Sequence, residues 1–405
     1  MNNFKKINLC RVCNSSKLIK IIDLKKKPLA NDFSTKKIIK FPLAVKHCLN
    51  CFHNQLSIGI NPNILFKKYF YQSSFSKSYS DHSDYLAKKL KSRFKLTKKS
   101  IIFDIGSNDG ILLKSFKKIN LFACGIEPSK NLAKIANKKS LLTKNLFFNS
   151  SVSKKLLKDY GKSDLVTANN VFAHILNFND FIKGLNIILA DNGVFVVEVS
   201  YFKDVILKNL FDTIYHEHID YHLLLPLQKL FNLNNLNLFH AERISTHGGS
   251  IRIFVTKKNI RKTKKLQFLI KKEKIFIKKF NYNIKNFNFK INHNRKIIIK
   301  IIKNLKKDKK QIICYGASAK ATIFINTYNL SKYLDKCLDD SKIKHGKMIP
   351  GTKIKIINPK NYTFRKTDFV LVTAWNFTQD IVKKIRKKNR NIEILSPLPT
   401  IKLYQ

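Results

Sequence analysis

Apolar residues recur along this chain in two rhythms. From about residue 99, short runs rich in Ile, Val and Phe alternate with stretches whose apolar positions fall every three or four residues. Residues 101–105 read as a strand and 110–118 as a helix. Strand 121–126, helix 130–138, strand 164–168, helix 179–189 and strand 193–199 follow. Strands alternating with helices predict a doubly wound, mostly parallel sheet, and hence an α/β fold. A second alternating block begins at Gln311-Ile312-Ile313-Cys314-Tyr315-Gly316 and runs through 334–338 and 369–372. It predicts a second, smaller α/β domain.

The pattern divides the chain into five parts. Residues 1–58 hold two cysteine pairs and a loop-like Lys27-Pro28-Leu29-Ala30-Asn31 segment. Residues 59–98 read as a helical connector with Tyr69, Tyr71, Tyr79 and His82 in its first two-thirds. Residues 99–256 carry the main α/β pattern. Within them, a helical stretch is expected to hold the cluster at Tyr215, with strands at 234–239 and 250–256. Residues 257–304 are Lys-rich with recurring Ile and Phe and predict long helices, and 305–405 form the second α/β block.

Composition adjusts this picture in a few places. With 405 residues, two or three domains are expected. No run of about 18 apolar residues occurs, so no membrane partner is expected. Met1-Asn2-Asn3-Phe4-Lys5-Lys6 leads directly to Cys10 without an apolar core, which makes a cytoplasmic location the default. The net charge of +54 invites a nucleic-acid reading. Yet only nine of the basic residues are Arg, and the lysines are spread through the whole chain. Base-edge recognition favours Arg, so no specific nucleic-acid partner is expected. A basic surface still favours an anionic, phosphorylated substrate.

Three constellations carry chemistry. Cys10-Arg11-Val12-Cys13 and Cys48-Leu49-Asn50-Cys51 are CxxC turns, and two such turns supply four thiolates to one tetrahedral zinc. His47 and His53 flank the second pair as alternative ligands. With all four positions filled by protein, the zinc would be structural. Cys124, Cys314 and Cys337 stand isolated in apolar contexts and are expected to be buried and inert. The second constellation is Phe103-Asp104-Ile105-Gly106-Ser107-Asn108-Asp109-Gly110, a strand running into a glycine-punctuated turn at a helix start. Glu127 closes the next strand, at the distance where a Rossmann-like fold sets a carboxylate on ribose hydroxyls. Asn169 and Asn170 follow the third strand, so three strand ends converge on one crevice and predict a nucleoside cofactor. The third is Tyr215-His216-Glu217-His218, whose side chains suit proton transfer. With His222 it also has the makings of a metal site, although no carboxylate at ligand spacing stands nearby.

Asp104 to Gly110 with Glu127-Pro128 resembles the first two motifs of class I S-adenosylmethionine-dependent methyltransferases. The order of motifs through the chain resembles, more particularly, the sugar-nucleotide C-methyltransferases that act on NDP-keto-deoxyhexoses. The resemblance runs from the cysteine pairs through Pro28-Leu29-Ala30-Asn31, Asn169-Asn170-Val171-Phe172-Ala173-His174 and Phe211 to His218. It continues through His247-Gly248-Gly249-Ser250-Ile251-Arg252 to Tyr315-Gly316-Ala317-Ser318-Ala319-Lys320 and His345 to Thr352. It implies an N-terminal zinc-binding domain, a central methyltransferase domain and a C-terminal Rossmann-like domain. It implies S-adenosylmethionine as cofactor, held by Asp104, Gly106, Asn108, Gly110, Glu127 and Asn170. Base or proton-relay roles fall on Tyr215 and His218, with Glu217 tuning them and His174 reaching the substrate or its enolate. Substrate contacts fall on Tyr69 or Tyr71, His247, Arg252 and Lys320. The expected partner is a small NDP-sugar.

Two other readings stay open at this stage. The same framework supports O-methylation of a sugar or another small metabolite, which needs a base beside a hydroxyl instead of an acidic C–H. A zinc-containing, basic RNA-binding protein or RNA methyltransferase is the reading from a different class. Against it stands the diffuse charge and the lack of an aromatic–basic RNA motif.

Overall fold

The computed structural model describes residues 3–33, 38–66, 69, 72–75 and 77–404. Seven strands build the central sheet: β1 Ile102–Ile105, β2 Cys124–Ile126, β3 Thr143–Lys144, β4 Ser163–Asn169, β5 Leu189–Ser200, β6 Asn237–Ile244 and β7 Ser250–Thr256. Their order is β6-β7-β5-β4-β1-β2-β3. β1 to β5 are parallel; at one edge β7 runs antiparallel to β5, and β6, antiparallel to β7, returns to the direction of β1 to β5. The chain winds outward in both directions from the β4/β1 boundary. Ligands in such sheets sit beyond the strands' C-terminal ends at that reversal. Helices Ile111–Lys118, Lys130–Lys138, Ser150–Tyr160 and Phe178–Ile188 follow the strands. The Ser150–Tyr160 helix went unread in the sequence, although Asn149 caps it by accepting from Val152 N–H and Gly161 ends it.

Two expectations shift, and one gains a detail. The Tyr215 cluster lies on no helix: a 3-10 turn, Phe211–Thr213, precedes it and a short strand, Asp220–Tyr221, follows. Its backbone bonds elsewhere, with Ile219 N–H donating to the Ala173 carbonyl and Leu56 N–H to that of Ile219. The expected strand at 234–239 begins later, at Asn237. Cys314 and Cys337, isolated in sequence, face each other in register on neighbouring strands, both fully buried.

Asp220–Tyr221 pairs with Asn54–Leu56 and so completes a four-stranded sheet with Lys40–Cys48 and Leu18–Pro28. The segment carrying the titratable cluster is thus hydrogen-bonded into the cysteine-bearing part of the chain. Arg11 strengthens the junction: its Nε lies 2.9 Å from Asp220 Oδ1, and its guanidinium donates to the Ile175 and Leu176 carbonyls.

Helices Lys264–Lys278 and Phe280–Lys307 lead to the last sheet. The second buries Phe280, Ile284, Phe287, Ile291, Ile298 and Ile302, at intervals that set them on one face. Its lysines take the other. The last sheet orders as Ile356–Ile357, Lys336–Leu338, Gln311–Tyr315, Asp368–Val372, Glu393–Ser396 and Lys402–Tyr404. Only its final strand is antiparallel. Among the described residues, no helix is long and apolar enough to cross a membrane.

Candidate active site

The four cysteines of the two CxxC turns converge, with all sulfurs within 4.8 Å of one another. Cys10 and Cys51 approach to 3.5 Å, and Cys13 and Cys48 to 3.7 Å. A tetrahedral zinc with Zn–S near 2.3 Å requires sulfurs about 3.8 Å apart, so the residues fit the metal. Cys51 bonding to the Cys10 sulfur lowers that thiol to about 4, favouring a thiolate. The alternative ligands are engaged elsewhere. His47 Nδ1 meets Asn54 Oδ1 at 2.8 Å, and His53 Nε2 meets Asp220 Oδ1 at 2.8 Å.

A cavity of about 580 Å³ opens at the β4/β1 reversal. Gly106, Asn108, Glu127 and Asn170 line one end of it. Gly106 has φ +66°, and a Cβ there would stand 2.3 Å from Val171 Cγ2. Only glycine lets the β1 turn pass beneath the β4 loop. Both Glu127 oxygens accept backbone N–H groups, from Asn108 and Ser129, each at 2.8 Å. Each oxygen keeps a lone pair for a hydroxyl. Asn170 has φ +56°, and its N–H donates to the Glu198 carbonyl at 2.7 Å. Phe147, Phe148 and Val171 give this end an apolar wall.

Two of the expected cofactor residues stand back from the cavity. Asp104 is buried behind the turn, where Thr167 Oγ1 donates to it at 2.6 Å. Burial lifts its carboxyl to about 7. Gly110 packs on the next layer, where a Cβ would meet Leu141 Cδ1 at 2.7 Å. Both shape the turn instead of facing the cavity.

Tyr215, His218 and His174 line the same cavity. Thr213's carbonyl lies 2.8 Å from His218 Nδ1 and can only accept, so Nδ1 carries the proton. His218 Nε2 then accepts the Tyr215 hydroxyl at 2.7 Å. His174 is fixed likewise, donating from Nδ1 to the Glu217 carbonyl at 2.6 Å. The His174 and His218 rings lie 5.0 Å apart. Glu217 itself turns inward, away from the cavity. Asn31 Nδ2 donates to its carboxyl at 2.7 Å, Tyr69 also bonds to it, and burial raises it to about 7. Tyr69 lines the cavity; Tyr71 lies outside the described residues. The metal alternative fails on geometry. His216 Nε2 faces the Pro42 carbonyl and His222 Nε2 the Phe172 carbonyl, both away from His218. Among the described residues, the four cysteines are the single group able to hold an ion.

The last domain also contributes to the cavity wall. Ser318, Ala319, Lys320, Lys344 and Asn376 line it. Lys320 Nζ is buried without a hydrogen-bond partner, 4.4 Å from the Trp375 ring centroid. Burial lowers its pKa, against the pull of Asp212, whose carboxyl accepts Trp375 Nε1–H at 2.6 Å. Arg252 does not reach the cavity. It is 1% exposed on β7, between Glu198 and Glu242 at 2.5 Å from each. The alternation of β7 directs it into the sheet's own ion pairs. The His247 side chain lies outside the described residues. The sequence reading missed Asn31, Tyr79 and Lys344. Asn31 had a signal, as it ends one of the segments that carried the resemblance.

Three family models match the chain in succession. A zinc binding domain spans residues 10–66, a methyltransferase domain 79–241 and a C-methyltransferase C-terminal domain 245–399. The chain is 29% identical over 384 residues to C-methyltransferase NovU of Streptomyces niveus, covering 93% of this chain and 91% of that one. Magnesium protoporphyrin IX methyltransferase (ChlM) of Synechocystis PCC 6803, solved with bound SAH, is 14% identical over 44% of this chain and 83% of its own, with a TM-score of 0.35. PH0226 of Pyrococcus horikoshii OT3 is 13% identical over 49% of this chain and 100% of its own, with a TM-score of 0.37. From the succession of matched domains, together with the relative of nearly equal extent, this chain is an S-adenosylmethionine-dependent C-methyltransferase with a zinc-binding domain ahead of its methyltransferase domain.

Proposed function

We propose that this enzyme methylates a carbon beside the carbonyl of an NDP-linked keto-deoxysugar, through an enolate. The observation that carries the reading is the single cavity shared by the Gly106 turn, the Tyr215–His218 pair and Lys320. S-adenosylmethionine supplies an electrophilic methyl group on a sulfonium. Gly106 and Asn108 give its backbone-lined seat, Glu127 accepts its ribose hydroxyls, and Asn170 borders it.

The carbon acid needs a base near neutral pH. Tyr215 takes the C–H proton as its own proton passes to His218 Nε2, and the Thr213 carbonyl steadies the imidazolium through Nδ1–H. The electron pair left behind is delocalised in the enolate, whose carbon would take the methyl group as the C–S bond breaks and its electrons stay on sulfur as the neutral thioether. His174 stands beside this pair; with its proton committed to the Glu217 carbonyl, its Nε2 is left to accept a hydroxyl of the substrate. Lys320 and Lys344 offer positive charge to a diphosphate, and a buried ammonium without a partner suits an anion arriving from solvent.

The test incubates the enzyme with S-adenosylmethionine and a panel of NDP-keto-deoxysugars, with mass spectrometry for one added methylene. It is run again in deuterium oxide with S-adenosylhomocysteine in place of the methyl donor. Solvent deuterium should enter the sugar carbon without transfer; O-methylation predicts methylation with no such exchange. His218→Ala should bind S-adenosylhomocysteine as the wild type does and lose at least about 10²-fold in turnover. Near-normal turnover by that variant removes His218 from the mechanism.

A further inference from the structure

Helix Lys77–Phe94 meets the central sheet through a buried chain of charge. His82 Nε2 lies 2.8 Å from Glu198 Oε2, and the Glu198 side chain is fully buried. Arg252 binds the other Glu198 oxygen and bridges to Glu242, both at 2.5 Å. Lys89 returns to the helix, reaching Glu242 at 2.7 Å. His82 and Lys89 are seven residues apart and share one helix face, so a single network grips the helix at two points. Arg252 and Lys89 balance the two carboxylates. His82 is therefore not needed to neutralise them, and its bond to Glu198 is left to serve placement.

What it places is Tyr79, almost one turn earlier. The Tyr79 and His82 rings are stacked, with centroids 5.9 Å apart and planes at 29°. The Tyr79 hydroxyl lies 3.3 Å from Asn170 Nδ2. Asn170 N–H in turn donates to the backbone carbonyl of Glu198. Glu198 thus holds His82 by its side chain and Asn170 by its main chain, and Tyr79 spans the two. Tyr79 and Asn170 both line the cavity at its cofactor end.

We propose that His82 is a positioning residue for the cofactor. Its bond to Glu198 fixes Tyr79 against Asn170, closing the side wall of the S-adenosylmethionine seat. His82 itself touches neither cofactor nor substrate. This rests on the assignment of the Gly106–Asn170 end to the cofactor.

Titration calorimetry with S-adenosylhomocysteine on the full chain tests it, beside steady-state kinetics. His82→Ala should weaken binding about tenfold and raise KM for S-adenosylmethionine in step, the size of one lost bond to a charged group. kcat at saturating cofactor should stay within about twofold, since no interaction special to the transition state is removed. His82→Gln, which keeps an N–H donor, should recover part of the affinity and also serves if the alanine variant fails to fold. Lys89→Met should lower Tm yet leave cofactor affinity unchanged. Wild-type affinity in both His82 variants overturns the proposal. So does an equal loss in Lys89→Met, which would make the effect one of stability, or a fall in kcat with KM unchanged. A wild-type enzyme that does not bind S-adenosylhomocysteine would sink the cofactor assignment itself, whereas binding that is indifferent to His82 sinks this inference alone.

Discussion

Glu217 is a carboxyl kept out of water beside a basic pair it does not touch through its side chain. Burial lifts it from 4.5 to about 7. The folded chain therefore retains a proton that the unfolded chain gives up between those values. Its contribution to stability is fully present below about pH 4.5 and is lost as pH rises through about 7. Over that window the loss is on the order of 3 kcal/mol. Glu217→Gln keeps the neutral form at every pH, so wild type should weaken relative to the variant from pH 5 to pH 8. Urea unfolding of both proteins at the two pH values measures it, and parallel stabilities would refute the buried neutral carboxyl. Sequence reading found Tyr215, His218 and Glu217 because titratable residues were crowded there. It gave Arg252 a part in substrate positioning from its place after the Gly248-Gly249 turn, with packing as the alternative. Only the pairing of β7 with β5 and β6, which sets Arg252 opposite Glu198 and Glu242, reveals that its charge is already satisfied.

At the scale of elements, the cofactor seat depends on two turns crossing closely. Gly106→Ala forces a side chain onto a φ of +66° and into Val171 Cγ2. We expect affinity for S-adenosylhomocysteine to fall at least about tenfold, with a loss of about 1–2 kcal/mol in stability. Adding Val171→Ala should restore part of the affinity, because the clash goes and the dihedral remains. Calorimetry on the single and double variants checks both, and full binding by Gly106→Ala would refute the close crossing. The alternating strands and helices around this turn were legible because periods of two and about 3.6 fix which face is apolar. The Tyr215 segment was misread as helical. Its local pattern permits a helix, but its backbone groups are claimed by Ala173 and Leu56, far away in sequence.

At the scale of the whole molecule, the zinc-binding domain and the basic pair are mechanically joined. Asp220–Tyr221 completes the sheet that the cysteine turns anchor, and Asn31 crosses from that domain to bond Glu217. Removing zinc should therefore do more than unfold the first 60 or so residues, because structural zinc supplies folding energy directly. We expect about one zinc per chain. After chelation, methyl transfer should fall and amide exchange should quicken over 215–221, while residues 311–396 stay protected. Cys48→Ser should do the same. Full activity in zinc-free protein would show that the two parts are independent.

By itself the sequence determined the alternating α/β blocks, the four-cysteine set and the glycine turn with Glu127. Each of these is written in short-range spacing, where periodicity, ligand geometry and backbone freedom act over a few residues. The tertiary structure alone decided what faces what. It set Asp104, Gly110 and Arg252 behind the cavity, turned His216 and His222 away from His218, and brought Asn31, Tyr79 and Lys320 to one hollow. Those outcomes follow from strand order and from which buried polar groups find partners. Such partners lie tens to hundreds of residues apart, beyond the reach of any local pattern.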